Sequence, residues 1–257
     1  MEITIQRDGL TLFGLLEGSK TIENDKIVIL MHGFKGNLGY QKGKLLNDLA
    51  QSLNAAGFPT IRFDFSGCGK SDGKFQDKTV WSEILDGMKI IDYVRHTVKA
   101  KEIYLLGHSQ GGVVASMLAG YFSDVIDKLI LLSPAATLKD DALKGECQGV
   151  FYDPHHIPDS VIVDGFTVSG DYFRSAQTLP IYEVAKVYQG PVLLVHGDAD
   201  RVVDPIASER YYAVYKNADY HLIKEADHIL SGDNNQRQLM LDDVCRFLQE
   251  ERTQAKT

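Results

Sequence analysis

The 257-residue sequence is 44% hydrophobic and 24% charged, enough for one large core of the α/β kind. Asp and Glu outnumber Lys and Arg, 35 to 27, giving a net charge of -8 that excludes nucleic acid as the expected partner, because phosphate binding needs clustered basic residues. No apolar run nears the ~20 residues of a membrane span, and Met1-Glu2-Ile3-Thr4-Ile5 has neither the basic segment nor the apolar stretch of a signal peptide; the expectation is a cytoplasmic protein without membrane contact.

In chain order, Ile3 to Gln6 and Leu10 to Leu16, separated by Arg7-Asp8-Gly9, predict an antiparallel hairpin turning at Asp-Gly. Short apolar runs then predict buried strands at Lys26 to Met31, Pro59 to Phe65, Glu102 to Leu106, Lys128 to Leu132, Pro191 to Val195 and Tyr220 to Lys224. Helical patterns fall between them, near Gln41 to Ala56, Thr79 to Thr97, Gln110 to Phe122, Ile206 to Val214 and Gln236 to Glu250. In the first, Leu45, Leu46, Leu49 and Leu53 form a buried stripe. In the second, Trp81, Ile84, Leu85 and Met88 read as helix packing. Such alternation is the pattern of a mostly parallel central sheet with helices on both faces. Residues 134–188 break it, with several aromatics and an Asp153-Pro154-His155-His156-Ile157-Pro158 loop; this is more chain than one crossover helix needs. They predict a small inserted cap carrying a hairpin above the strand ends, with 1–133 and 189–257 as the core. The polar tail from Glu250 to Thr257 is expected to fray.

Gly107-His108-Ser109-Gln110-Gly111 lies between a predicted strand and a predicted helix, the context in which Gly-x-Ser-x-Gly holds a serine in a strained turn and displays its hydroxyl above the sheet. A neutral serine needs a base, and the base an orienting acid. Asp200, in His196-Gly197-Asp198-Ala199-Asp200, and His228, after Ala226-Asp227, follow the next two strands in the chain order expected for this elbow. Asp198 and Asp204 compete for the acid, and His221 and His196 for the base; His221 sits inside a strand and His196 at a strand end, so neither suits a loop base as well. An oxyanion hole needs two donors. The N–H of Gln110 supplies one, and the His32-Gly33-Phe34 turn nominates that of Phe34.

Gly67-Cys68-Gly69-Lys70-Ser71 imitates the end of a phosphate loop, but Asp64 stands where its first glycine belongs. Adjacent His155 and His156 are poorly spaced to converge on a metal, and Cys68, Cys147 and Cys245 are too scattered for a zinc site or disulfide framework. No metal and no cofactor is expected. For a soluble enzyme a homodimer is the default assembly.

With these motifs together, and with Asp64 to Gly73 added, the sequence resembles the α/β-hydrolase superfamily over essentially its whole length. More narrowly it is similar to bacterial feruloyl (cinnamoyl) esterases of the lactobacillus and rumen type. The resemblance implies an α/β-hydrolase fold and a serine esterase whose partner is a small aromatic ester of ferulic, caffeic or p-coumaric acid. It also implies that Asp141, Gln148 and Tyr172 in the cap hydrogen-bond the phenolic end of the acid. The motifs outside the cap are shared with many α/β-hydrolases. A short-chain carboxylesterase, a thioesterase or lipase-like enzyme with the same triad, and a non-catalytic small-molecule receptor on the same fold, are the alternatives.

Overall fold

The computed structural model describes residues 1–19, 23–232 and 235–250. The opening hairpin pairs β1 (Glu2–Arg7) with β2 (Leu10–Glu17), turning through Asp8 and Gly9, both at positive φ. There follow β3 (Lys26–Met31), α1 (Leu45–Ala55), β4 (Thr60–Phe63), α2 (Val80–Tyr93), β5 (Glu102–His108), α3 (Gln110–Tyr121) and β6 (Ile126–Leu132). The segment before the next sheet strand contains α4 (Leu138–Lys144), β7 (Glu146–Cys147), β8 (Val150–Phe151), β9 (Ser160–Val163), β10 (Phe166–Ser169), α5 (Gly170–Gln177) and α6 (Ile181–Ala185). The chain then closes with β11 (Val192–Gly197), α7 (Ile206–Val214), β12 (Ala218–Ile223) and α8 (Gln236–Gln249).

Eight strands form one sheet in the order β1-β2-β4-β3-β5-β6-β11-β12; β2 is antiparallel to both its neighbours, β1 and β4, and the pairings from β4 to β12 are all parallel. The two-residue period of a strand divides its side chains between two cores. Ile27, Ile29 and Met31 of β3 face the layer containing α2, α3, α6 and α7, whereas Val28 and Leu30 face α1 and α8. α3 is buried on nearly every side, from Gln110 to Gly120, because it is covered by the sheet, α2 and α6.

The stripe expected on α1 is buried as Leu45, Leu46, Leu49 and Leu53, although the helix begins after Lys44 rather than at Gln41. On α2 the expectation needs correcting. Val80, Ile84, Ile90 and Ile91 are buried, but Trp81 and Leu85 are 37% and 46% exposed and lie on the outer side. A helical spacing identifies a stripe without assigning every apolar residue to it. Residues 134–188 hold two minimal hairpins, β7–β8 and β9–β10, instead of one, together with three short helices. Val163, Val168, Tyr172 and Phe173 from this segment join the same apolar cluster as α2 and α3, so it shares the core instead of building its own. Of the tail expected to fray, residues 251–257 lie outside the described residues. Within those described, no helix is long and apolar enough to cross a membrane.

Candidate active site

The parallel strands end at one edge of the sheet, and the loops leaving β3, β5, β11 and β12 meet there. Ser109 occupies the turn from β5 to α3 at φ 57° and ψ −125°, a strained conformation for a residue with a side chain. The glycines around it are required by close approach. A Cβ on Gly107 would lie 2.2 Å from the Gly111 carbonyl oxygen, and one on Gly111 would lie 2.5 Å from the carbonyl oxygens of both Met31 and His32.

Ser109 Oγ lies 3.0 Å from His228 Nε2, and His228 Nδ1 lies 2.8 Å from Asp200 Oδ2. The structure therefore brings Ser109, His228 and Asp200 into one hydrogen-bonded chain. The other candidates fall elsewhere: His221 lies in β12 against Asp243, Asp198 accepts the Glu225 N–H, and Asp204 accepts the N–H of Ile206. Asp200 Oδ1 accepts the Val202 and Val203 N–H groups, which fixes the plane of the carboxylate. Burial alone would raise this carboxyl, but hydrogen bonds from His196 and His228 outweigh it and hold Asp200 below the usual carboxylate range.

Gln110 opens α3 directly after Ser109, so its N–H has no partner within the helix. The Phe34 N–H belongs to the peptide whose carbonyl, that of Gly33, accepts from His32 Nδ1 at 2.8 Å and from Gly36 N at 3.0 Å. His32 Nε2 in turn accepts the Phe65 N–H at 3.1 Å, which places the ring proton on Nδ1. Burial, and then the Lys78 charge, pushes this imidazole down to about 3, so it stays neutral. The phosphate-loop look-alike also serves this loop. Asp64 accepts the Leu38 and Lys70 N–H groups, and a Cβ on Gly69 would strike its carboxylate.

Several supporting side chains have roles that no motif announces. His108 Nε2 donates to the His228 carbonyl at 2.8 Å and ties the elbow to the loop bearing that histidine; burial, then the charge of His228, pushes its imidazole down to about 3. Beneath the Phe34 turn, Lys78 donates to the Phe34 carbonyl and lies 2.9 Å from Glu83 Oε1. Glu83 Oε2 accepts from Gln110 Nε2 and Gln110 Oε1 accepts from the Tyr172 hydroxyl, each at 2.6 Å. Burial raises the Glu83 carboxyl, opposed by Lys78 and Gln110. Lys78→Met leaves this carboxyl without its cation at a fully buried position and is expected to cost about 3–5 kcal/mol, measured as the urea midpoint. Adding Glu83→Gln to it should recover part of the loss.

Asp141, Gln148 and Tyr172 all line a small inner cavity of about 60 Å³ that reaches Ser109 and Gln110 and is walled further by apolar groups such as Leu138, Ala142, Phe173 and Val203, with Thr137 and Glu146 at its polar side. An open cleft of about 1180 Å³ meets it at Phe34, Ser109, Thr137 and Asp141 and runs over His228 and Arg201. The Tyr172 phenol, which burial raises well above its ordinary value, is committed to Gln110. Exposed Gln148 accepts from Lys35, which also pairs with Asp164 in the β9–β10 turn. Asp141 is half-buried, and burial, followed by the Glu146 charge, raises its carboxyl. His156 pairs with Asp153 at 3.0 Å on an exposed loop.

A mostly parallel sheet, a strained serine at its central strand end, and a histidine and aspartate delivered by the last two strand-end loops define an α/β-hydrolase. The chain belongs to the alpha/beta hydrolase fold family, whose sequence profile matches residues 26–151. Among solved structures it is similar to Est1E from Butyrivibrio proteoclasticus with ferulic acid bound: 34% identity, a TM-score of 0.88, and 96% of this chain and 97% of that one covered. Mouse alpha/beta hydrolase domain-containing protein 10, at 19% identity and a TM-score of 0.74 over 96% of this chain and 98% of that one, shares the fold. Among curated proteins, the lysophosphatidylserine lipase ABHD12 of Mus musculus is 27% identical over 185 residues, 70% of this chain and 43% of that protein. The Danio rerio counterpart is 25% identical over 182 residues, 69% of this chain and 44% of that protein. The chain thus spans less than half the length of these curated relatives.

Proposed function

We propose that this protein is a serine esterase that hydrolyses hydroxycinnamate esters through an acyl-enzyme. The observation that carries the reading is the hydrogen-bonded line from Asp200 through His228 to Ser109, at the mouth of a cavity with both apolar and polar walls. In this reading His228 takes the Ser109 proton as Oγ attacks the ester carbonyl, and the resulting oxyanion is held by the N–H groups of Phe34 and Gln110. His228 next protonates the leaving alcohol, which departs through the open cleft. Water, activated by the same histidine, then cleaves the acyl-serine bond and frees the acid.

The acyl side is the inner cavity. Exposed Gln148, held by Lys35, lies where this cavity meets the open cleft. Asp141 then accepts a hydrogen bond from a phenolic hydroxyl, as a half-buried carboxylate can. The similarity to Est1E, whose structure holds ferulic acid, supports this choice of acid. A second reading, a lysophospholipid lipase, is favoured by the names of the curated relatives. Similarity to Est1E over nearly the whole of both chains, against less than half the length of the curated relatives, favours the first reading.

A panel of methyl ferulate, methyl cinnamate, p-nitrophenyl acetate, an acyl thioester and lysophosphatidylserine, compared by kcat/KM, separates these readings. Preference for methyl ferulate is expected; preference for lysophosphatidylserine would transfer the assignment to the second reading. Asp141→Ala should cut the ratio of kcat/KM for methyl ferulate over methyl cinnamate by roughly 10–100-fold, the worth of one hydrogen bond to a charged group. An unchanged ratio would remove Asp141 from substrate recognition.

A further inference from the structure

Asp200 serves two histidines. Besides His228, its Oδ2 lies 3.1 Å from Nε2 of His196, whose side chain is fully buried at the end of β11. The same His196 nitrogen lies 3.0 Å from the Val203 carbonyl oxygen. Facing two acceptors that cannot donate, Nε2 must carry a proton. On its far side, His196 Nδ1 lies 2.7 Å from the hydroxyl of Ser208, also fully buried, in the first turn of α7. The hydroxyl can donate there and so complete the ring. The result is a line with matching halves on either side of the carboxylate: Ser109, His228, Asp200, His196, Ser208. One half ends at the cleft and the other inside the protein.

We propose that His196, held by Ser208, is a positioning residue that keeps Asp200 ionised and aimed at His228. This rests on the triad reading given above. The carboxylate is withdrawn from water, its side chain having no exposed surface, so burial penalises its charge. The two N–H groups of Val202 and Val203 satisfy Oδ1, but Oδ2 would face His228 alone without the second imidazole. His196 shares the charge on Oδ2 and, through the Val203 carbonyl, locks the loop in which Asp200 sits. Loss of its donor leaves Oδ2 more basic and better able to stabilise a protonated His228. Because the attack on an ester needs neutral His228, the acid limb of the reaction then moves to higher pH. Around this pair stand His108, whose ring centroid is 4.9 Å from that of His228, Arg237, which reaches the Ile229 and Leu230 carbonyls, and Arg201 and Asp204, which line the cleft with His228; all remain in every variant used below.

The test follows the rate at which a fluorophosphonate labels Ser109 as a function of pH, which needs no knowledge of the natural ester, with thermal melts run alongside. The wild type should label and Ser109→Ala should not; failure of the wild type to label would overturn the triad reading itself. His196→Ala should label roughly 10–100-fold more slowly at neutral pH, with its acid limb raised by about one unit, the scale of one hydrogen bond to a charged group. Turnover of p-nitrophenyl acetate should show the loss in kcat with KM little changed, since His196 itself lines neither the cavity nor the cleft. His196→Gln, whose amide can reach Asp200 as Nε2 does, should regain most of the rate and the original limb. Ser208→Ala should fall between the wild type and His196→Ala. If the Ala variant proves unfolded, the Gln and Ser208 variants carry the test. A folded His196→Ala with wild-type rate and pH profile, or a folded His196→Gln as slow as the alanine variant, would overturn the proposal while leaving the triad in place.

Discussion

Ser109→Ala is expected to hydrolyse methyl ferulate roughly 10⁵–10⁶-fold more slowly than the wild type, the loss typical of removing the nucleophile from a preorganised triad. The fold should survive. The side chain makes one hydrogen bond, to His228, and alanine keeps the strained backbone at φ 57° without changing the packing of β5 or α3. Ser109→Gly should be equally inert and more stable than the alanine variant by about 1–2 kcal/mol, because glycine tolerates this backbone conformation and a residue with a Cβ does not. A thermal melt of the two inert variants reads this difference. Equal stability would show that the turn stores little strain.

The second large effect concerns folding rather than chemistry. Gly111→Ala places a methyl group 2.5 Å from two main-chain carbonyl oxygens at the end of β3, and Gly107→Ala places one 2.2 Å from the Gly111 carbonyl. Neither neighbour is a side chain that can turn away, so the strand end and helix start must separate. Each variant should lose on the order of 3 kcal/mol or more, a fall in Tm of roughly 10 °C for a chain of this size. Gly57→Ala is the control. It lies just after α1 at φ 85° with open space where its Cβ would go, so only the left-handed backbone penalty of about 1 kcal/mol applies. Equal losses at Gly57 and Gly111 would mean that close approach at the elbow does not govern stability.

The sheet was largely legible because its strands are covered on both faces and therefore read as continuous apolar runs, such as Ile27 to Met31 and Leu129 to Leu132. Element ends were less so. The β12 strand begins at Ala218, not Tyr220, and α2 gives way after Tyr93 to a turn of wider helix over Val94–Val98 that no local pattern announces. Ser109, Asp200 and His228 could be nominated because each stands at a strand end in a recognisable order. Trp81 reads as helix packing yet lies on the outer side, since a large apolar residue at helical spacing fits an inner or an outer face until the neighbouring elements are known.

The remaining gaps have a common physical origin. Lys78, Glu83 and Gln110 meet Tyr172 only after α2, α3 and α5 have packed, and nothing in the sequence around Lys78 differs from a solvated loop. For His196 the sequence shows a place at a strand end but not that its ring turns inward toward Ser208. In residues 134–188 the strands are two to four residues long, too short for any period to register, so one hairpin was expected where two form.

The central claim is that Ser109 accepts a hydroxycinnamoyl group from an ester and passes it to water. Quenching the protein with acid during turnover of methyl ferulate, then digesting it and weighing its peptides, tests this most directly. The account predicts a feruloyl adduct on the peptide containing Ser109 that disappears as free ferulate accumulates, and no adduct in Ser109→Ala. Release of ferulate at the wild-type rate by Ser109→Ala, or an adduct on any other residue, would contradict it.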